Sequence, residues 1–405
     1  MHTPAFPSDL VIDVHDLATI ILDCHARSEV PLKTLQLVEI NHGEASVATF
    51  ENGDELLPDW AACNKEKTCL ILRDCHRETN ERLTLDTFAR GPPKSVRTPN
   101  GCQPTRAELE DAYWRCKVHC HGYALTYAAG EVIAALPPTT KLRVRTAAGL
   151  EAFFAPADVS VAESVVNPRE GTYIAYFDEG AGPHFTAPKV SITPSQVGVK
   201  GLVPWPWLVF GRRTGLGHPA LDAMARCVLD LGLAQIGGHG LAGEHFALER
   251  EAEFYTKVLK KHTLEWCYPK ERPLLTKEYM EHKYQELEME AARKAIPNES
   301  AHFAFYRNTL RPKKGSDSTG KAISGRKASA AAADYTDMLG MAVKNMVLAR
   351  LAKVASGSEE FCQHCGKEDT RSRCSKCHTV HYCDSHCQMA GWKYHRAWCS
   401  RPPQS

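Results

Sequence analysis

Apolar residues recur at helical spacing in two stretches of this chain and in short runs broken by Pro and Gly in a third. Positions 109, 113, 116, 120, 123 and 127 are apolar and lie three or four apart, which predicts a helix. Thr105-Arg106-Ala107-Glu108 is a capping box that starts it, and Gly130 follows the last apolar position. A second stripe (Leu339, Val343, Met346, Val347, Leu351 and Val354) predicts an amphipathic helix over 328–355, stopping at Ser356-Gly357-Ser358. Such a stripe either packs on the body of the protein or pairs with a second copy. Between the two, 141–146 alternates, 150–154 follows Gly149, and 172–177, 189–193 and 208–211 are short runs, so 131–212 predicts a small antiparallel sheet or barrel. Residues 219–310 read as helices, including a charged one from Thr276 to about Ala295. Residues 9–60, with an Asn52-Gly53 turn signal, predict strands and one short helix.

These patterns divide the chain into a mixed α/β region (1–130), a β-rich region (131–212), a helical region (213–310), a basic flexible linker (311–329), an amphipathic helix (330–356) and a cysteine-rich end (360–400). The fold class is α+β, with an antiparallel β part and a helical part before the small terminal unit. A length of 405 residues, 43% hydrophobic with net charge +1, fits a globular protein of two or three domains. Neutral charge argues against a dedicated nucleic-acid binder, and no apolar stretch reaches the roughly eighteen residues of a membrane span. The linker carries Arg311, Lys313, Lys314, Lys321, Arg326 and Lys327 against Asp317, which suits either a solvated tether or a nuclear import signal.

The last forty-four residues hold Cys362, Cys365, Cys374, Cys377, Cys383, Cys387, His395 and Cys399. Eight ligands of this kind make two closed tetrahedral zinc sites, and a two-residue gap lets one turn present both thiolates to one metal. Four protein ligands per ion leave no open position for water, so both zinc ions are expected to be structural. A disulfide framework is the rival, but the start Met1-His2-Thr3-Pro4 shows no export signal, and the other nine cysteines are an odd, scattered set. A reducing compartment, nucleus or cytoplasm, is the expectation.

Cys362-Gln-His-Cys365, Cys374-Ser-Lys-Cys377, His381-Tyr382-Cys383-Asp384-Ser385-His386-Cys387-Gln388, Trp392, His395 and Cys399 together resemble the MYND-type zinc finger. Gly391 departs from the pattern, which commonly has Asp there. The resemblance implies interleaved sites: Cys362, Cys365, Cys383 and Cys387 on the first zinc, and Cys374, Cys377, His395 and Cys399 on the second. Spacing alone permits a sequential pairing equally, with His364, His378, His381 and His386 as substitutes. The four-residue gaps 383/387 and 395/399 would let each pair project from one helical turn. The resemblance also implies protein recognition, in which a short proline-containing peptide lies on Val380, Tyr382, Gln388 and Trp392. Trp392 offers that peptide a flat apolar face, or else plugs the finger's core; Tyr394 and Trp398 are further candidates.

The reading is therefore an adaptor or regulatory protein whose partners are other proteins, with two structural zinc ions and no catalytic residues. One rival is a MYND-associated SET-type lysine methyltransferase, disfavoured because only six residues follow Cys399, and Asn41-His42-Gly43-Glu44 is a poor match to the catalytic motif. Another is a DNA-associated regulator, supported by seven Lys and Arg against three Asp and Glu in 361–405 but lacking an aromatic platform. Gly238-His239-Gly240-Leu241-Ala242-Gly243 fits a dinucleotide motif literally, yet a loop between helices is the better reading. Cys116, His119, Cys120 and His121 fall on or beside the helical stripe and read as core rather than as a third metal site.

Overall fold

The computed structural model describes residues 6–7, 9–28, 35–41, 66–74, 84–88, 103–177, 195–197, 202–212, 225–283, 325–368, 370 and 372–400. Strand β1 (Val11–Asp13) runs directly into helix α1 (Val14–Ser28), where the Asp13 carboxylate accepts from the His15 amide at 3.0 Å. Helix α1 is buried on nearly every side, through Val14, Leu17, Ala18, Ile20, Ile21, Leu22 and Cys24, so it is a central helix rather than a surface one.

The strands that follow are β2 (Leu35–Asn41), β3 (Glu66–Asp74), β4 (Lys141–Arg145), β5 (Glu151–Phe154), β6 (Val159–Pro168), β7 (Glu170–Phe177) and β8 (Ser195–Val197). After them come β9 (Val203–Phe210), β10 (Cys227–Asp230), β11 (Ala247–Arg250), β12 (Thr263–Trp266) and β13 (Lys270–Arg272). One sheet has the order β1-β4-β5, its β1–β4 pair parallel. A second has the order β2-β3-β7-β8, with β3 and β7 parallel over eight residue pairs. The third is antiparallel, ordered β11-β10-β9-β6-β12, with β13 also on β6. Pro204 and Pro206 sit in β9 where it pairs with β6 alone; β10 joins its other edge only at Leu208–Phe210, so neither ring displaces a ladder donor there.

Three expectations are corrected. The strands of 131–212 do not close on themselves: they are shared among three sheets, which strands from elsewhere in the chain complete. The region 213–310, expected to be helical, supplies β10 to β13, and helical segments Glu251–Glu253, Phe254–Leu259 and Lys260–His262 lie between β11 and β12. All four residues of β10 are buried, Asp230 included, so the apolar run Cys227-Val228-Leu229 carries no period that separates strand from helix. The capping box at Thr105 holds, with reciprocal bonds to Glu108, but the helix it opens ends early. Helix α2 (Arg106–Lys117) gives way to a turn in which Cys120 takes φ +60° and its amide donates to Gln235 Oε1 at 3.1 Å. Helix α3 (Gly122–Ala135) then restarts with Gly130 inside it.

Helix α4 (Gly325–Ala355) lays Leu339, Val343, Val347 and Leu351 against α3 and α1, in a core that runs from Leu10 to Leu351. Of its two expected modes, packing on the body is the one adopted. Gly357, at φ +71°, closes the helix, with the Gly357 and Ser358 amides donating to the Val354 and Lys353 carbonyls at 3.0 and 2.8 Å. The 189–193 run, the Asn52-Gly53 turn, the charged helix beyond 283 and the linker up to 324 lie outside the described residues.

Candidate metal centre

Two tight turns and one short helix build the C-terminal unit. The first turn spans Cys362 to Gly366, closed by the Gly366 amide on the Cys362 carbonyl at 2.9 Å. The second spans Cys374 to His378, closed in the same way at 2.9 Å. Strands β14 (Ser372–Arg373) and β15 (His381–Tyr382) pair between them. Helix α5 (Ser385–His395) is capped by Asp384, whose carboxylate accepts from the Cys387 amide at 2.8 Å. That cap sets Cys387 in the first turn of α5, close to Cys383 just after β15. At the other end His395 closes the helix and Cys399 follows one turn later. Each four-residue pair therefore straddles a helix end, instead of projecting from a single helical turn.

The donor atoms collect into two groups of four, Cys362, Cys365, Cys383 and Cys387, and Cys374, Cys377, His395 and Cys399, each within 4.8 Å of one another. The interleaved pairing is the one the fold adopts. Cys365 lies 3.4 Å from Cys383 and 3.9 Å from Cys387, and Cys374 lies 3.8 Å from Cys399. A tetrahedron with zinc–sulfur bonds of about 2.3 Å has edges of about 3.8 Å. Cys377 Sγ is 3.4 Å from His395 Nε2 and accepts from Thr379 Oγ1 at 3.2 Å, an outer bond that steadies a thiolate ligand. In the first group, hydrogen bonding among crowded sulfurs holds the Cys362 thiol far below its usual range and pushes Cys365 and Cys387 above theirs. A divalent cation resolves that conflict, because it lets all four ionise together. The donor set fits zinc.

The unit is docked on the body, and polar contacts make most of the seam. Arg350 of α4, only 4% exposed, donates to the Gly366 carbonyl at 2.7 Å and pairs with Asp23, Glu359 and Glu368 at 2.7, 2.7 and 3.3 Å. Arg27 of α1 reaches Glu368 at 2.8 Å, and Gln363 Nε2 donates to Asp16 at 3.3 Å. Tyr394 stacks on His15 with ring centroids 3.6 Å apart, and its hydroxyl donates to the Arg145 carbonyl at 3.1 Å. Trp398 Nε1 donates to the Thr146 carbonyl at 3.2 Å while the Arg145 guanidinium lies over its ring. On α2, Glu110 takes His364 Nε2 on one carboxylate oxygen at 2.8 Å and His386 Nε2 on the other at 2.9 Å. Burial opposes charge on Glu110, yet the histidines around it hold its carboxyl well below the usual range.

Residues 362–399 match the family model of the MYND finger. The finger is a zinc-binding protein-interaction domain, and the chain carries it with two zinc sites of four ligands each. The match does not extend to residues 1–361, and no solved structure matches the chain. Among the described residues no helix is long and apolar enough to cross a membrane.

Of the four residues expected to meet a peptide, Trp392 is 40% exposed, Val380 and Gln388 are half-buried, and Tyr382 is only 1% exposed. Tyr382 is thus the aromatic plug of the finger, a role that spacing left open for Trp392. Gly391 fits this arrangement, since a Cβ there would stand 2.9 Å from Tyr382 Cε1, so a side chain at 391 would require the ring to shift. His364 and His386 are not substitute ligands: both turn to Glu110. His378 is exposed at φ +60°, and His381 lies 3.3 Å from Glu360. Cys116, His119 and His121 are buried in the body, where His121 Nδ1 lies 3.0 Å from His25 Nε2. Glu110, Arg350, Asp16 and the carbonyls of Arg145 and Thr146 are site residues that sequence reasoning missed.

Proposed function

We propose that this protein is an adaptor that recruits another protein through its finger, by seating a short proline-containing peptide on Trp392. The observation that carries this reading is the division of α5 into two aromatic faces. Tyr394 follows Trp392 by two residues, about 200° around the helix, and is committed to the body, while Trp392 and Met389 are 40% and 67% exposed. Gln388 precedes Trp392 by one turn, so its amide can pair with the peptide backbone while the indole packs on a proline ring. Val380 packs on the small core of the finger, and Tyr382 lies beneath Gly391 of the same helix. Strand β15 contributes little edge, because β14 occupies one side and the Cys362–Gln363 backbone the other. The peptide therefore binds mainly through side-chain contacts on α5.

A reducing intracellular setting, nucleus or cytoplasm, belongs to the same reading. A reducing setting is in keeping with thiolates left available for zinc, and burial pushes the Cys24, Cys69 and Cys227 thiols up to about 12, so these remain unreactive thiols in the core. The test is binding of the full chain to an immobilised array of proline-containing peptides, beside a Gln388→Ala/Trp392→Ala variant checked for two zinc ions in the finger. Loss of binding by roughly ten-fold or more in the variant is expected. Undiminished binding with zinc retained would place recognition elsewhere.

A further inference from the structure

We propose that a third metal ion binds between the finger and the body, on Glu110, His245 and His364. The donor atoms of these three residues lie within 4.8 Å of one another. Glu110 Oε1 is 2.8 Å from His364 Nε2 and 3.7 Å from His245 Nε2. A tetrahedral site with bonds of about 2.0 to 2.1 Å to nitrogen and oxygen has edges of about 3.3 Å, between those two distances. His386 Nε2 holds the second carboxylate oxygen at 2.9 Å, which orients Glu110 as an outer partner orients a ligand.

Two further observations point to an ion rather than to hydrogen bonds alone. His245 is 8% exposed; its Nε2 faces Glu110, and its Nδ1 has no hydrogen-bond partner among the described residues, while the buried Asp111 Oδ1 nearby has only the His239 Nε2 at 3.5 Å. An overlapping group, Asp111, His239 and His245, brings those residues within the same 4.8 Å. One glutamate, one aspartate and two further imidazoles, His239 and His364, thus converge on His245, whose ring lies 5.6 Å from that of Trp114 and 6.0 Å from that of His364. The donor set of imidazole and carboxylate suits zinc and neighbouring divalent transition metals, not calcium or magnesium. Three protein ligands leave one coordination position open.

The ligands come from three places: α2, the loop leading into β11, and the first zinc turn. No one of these carries a pair, so the site exists only while the finger is docked. That gives the loop 238–246, whose glycines read literally as a nucleotide motif, a different role. The Gly240 amide closes it on the Glu244 carbonyl at 3.0 Å, the Leu241 amide ties it to the Glu249 carboxylate of β11 at 2.9 Å, and it presents His245 toward Glu110 of α2. The ion acts as a clasp, tying the position of the finger to metal supply.

The experiment is metal stoichiometry of the intact chain saturated with zinc and dialysed, by mass spectrometry, together with anomalous scattering at the zinc edge from crystals of the wild-type chain. Three ions are expected, with a peak between Glu110, His245 and His364. Glu110→Gln and His245→Gln are expected to hold two, and their cobalt-loaded forms should keep the thiolate charge-transfer bands of the finger. Two ions in the wild-type chain, or no anomalous peak at Glu110, overturns the proposal and makes this cluster a hydrogen-bond hub. The wild-type measurements stand even if a variant fails to fold.

Discussion

Replacing Arg350 with Met removes the charge that joins α4, α1 and the finger while keeping the length of the side chain. The guanidinium faces Asp23 at 2.7 Å, Glu359 at 2.7 Å and the Gly366 carbonyl at 2.7 Å, at a site where it is only 4% exposed. Loss of one partner of a buried ion pair costs about 3 to 5 kcal/mol, because the charge left behind has neither water nor a counter-ion. Arg27 still reaches Asp23 at 2.7 Å and Glu368 at 2.8 Å, which keeps the expected loss within that range rather than above it. At roughly 2 °C per kcal/mol for a chain of this size, the thermal midpoint of the zinc-loaded protein should fall by about 6 to 10 °C.

The pH dependence of that loss has a definite sign. Burial pushes the Asp23 carboxyl up to about 6 despite the opposing pull of Arg27 and Arg350. The unfolded chain releases this proton near pH 4 and the folded chain near 6, so the folded state binds more protons in between. Asp23 accordingly lowers stability as pH rises from about 4 to about 6, and its effect is level above that. Without Arg350 the folded value moves further up, so the gap between wild type and Arg350→Met should widen from pH 5 to pH 8. Scanning calorimetry across that range measures both effects. A midpoint drop of under about 2 °C, or a gap that narrows with rising pH, would refute the argument that Arg350 is the buried counter-charge of this junction.

Three more outcomes are expected. In Gly366→Ala the added Cβ would meet Asp23 Cβ and the Thr19 carbonyl, each at 2.7 Å, at a residue with φ +77°; the finger should keep its cysteine-bound zinc but leave α1, seen as new proteolysis at 356–361. Chelation of the intact chain should abolish tertiary order in 360–400, since each structural zinc supplies roughly 10 to 16 kcal/mol, and protease mapping should show cuts there while the body core survives. Asp230, fully buried against Trp205 Nε1 at 2.8 Å, has its carboxyl pushed up to about 7, so it lowers stability as pH rises from about 4 to about 7; in Asp230→Asn that part of the slope should vanish from urea titrations run at each pH.

The parts of this molecule that could be read from sequence are those whose signal is local. The eight zinc ligands announce themselves by gaps of two to four residues. The capping box at Thr105 and the stripe of α4 likewise need only a few neighbours to be recognised. What failed was long-range or aperiodic. The apolar run in β10 has no alternation because both of its faces are covered, and the break at 118–121 is held by Gln235, more than a hundred residues away. Glu110 lies beside the apolar stripe of α2 as an ordinary surface acid would, and only the tertiary fold brings three histidines to it. The interleaved zinc pairing belongs to the same class: the count of ligands was local, their assignment was topological.

The division between what folds the finger and what places it follows from the same chemistry. A unit built around two metal ions has few apolar side chains to spare, and its small core is already filled by Tyr382 and the ligand cysteines. Its seam with the body is accordingly made mostly of charge-assisted hydrogen bonds, ring stacking and donors to carbonyls, whose geometry specifies position as well as supplying energy. Metal holds the finger's internal fold, and Arg350, Glu110, Tyr394 and Trp398 hold its orientation. Because those anchors fix the direction in which α5 faces, Trp392 is presented at a set angle to the body. If the finger recruits a partner through Trp392 as proposed, that partner would also meet the neighbouring surface of the body, so substitutions there as well as at Trp392 are expected to change what is bound.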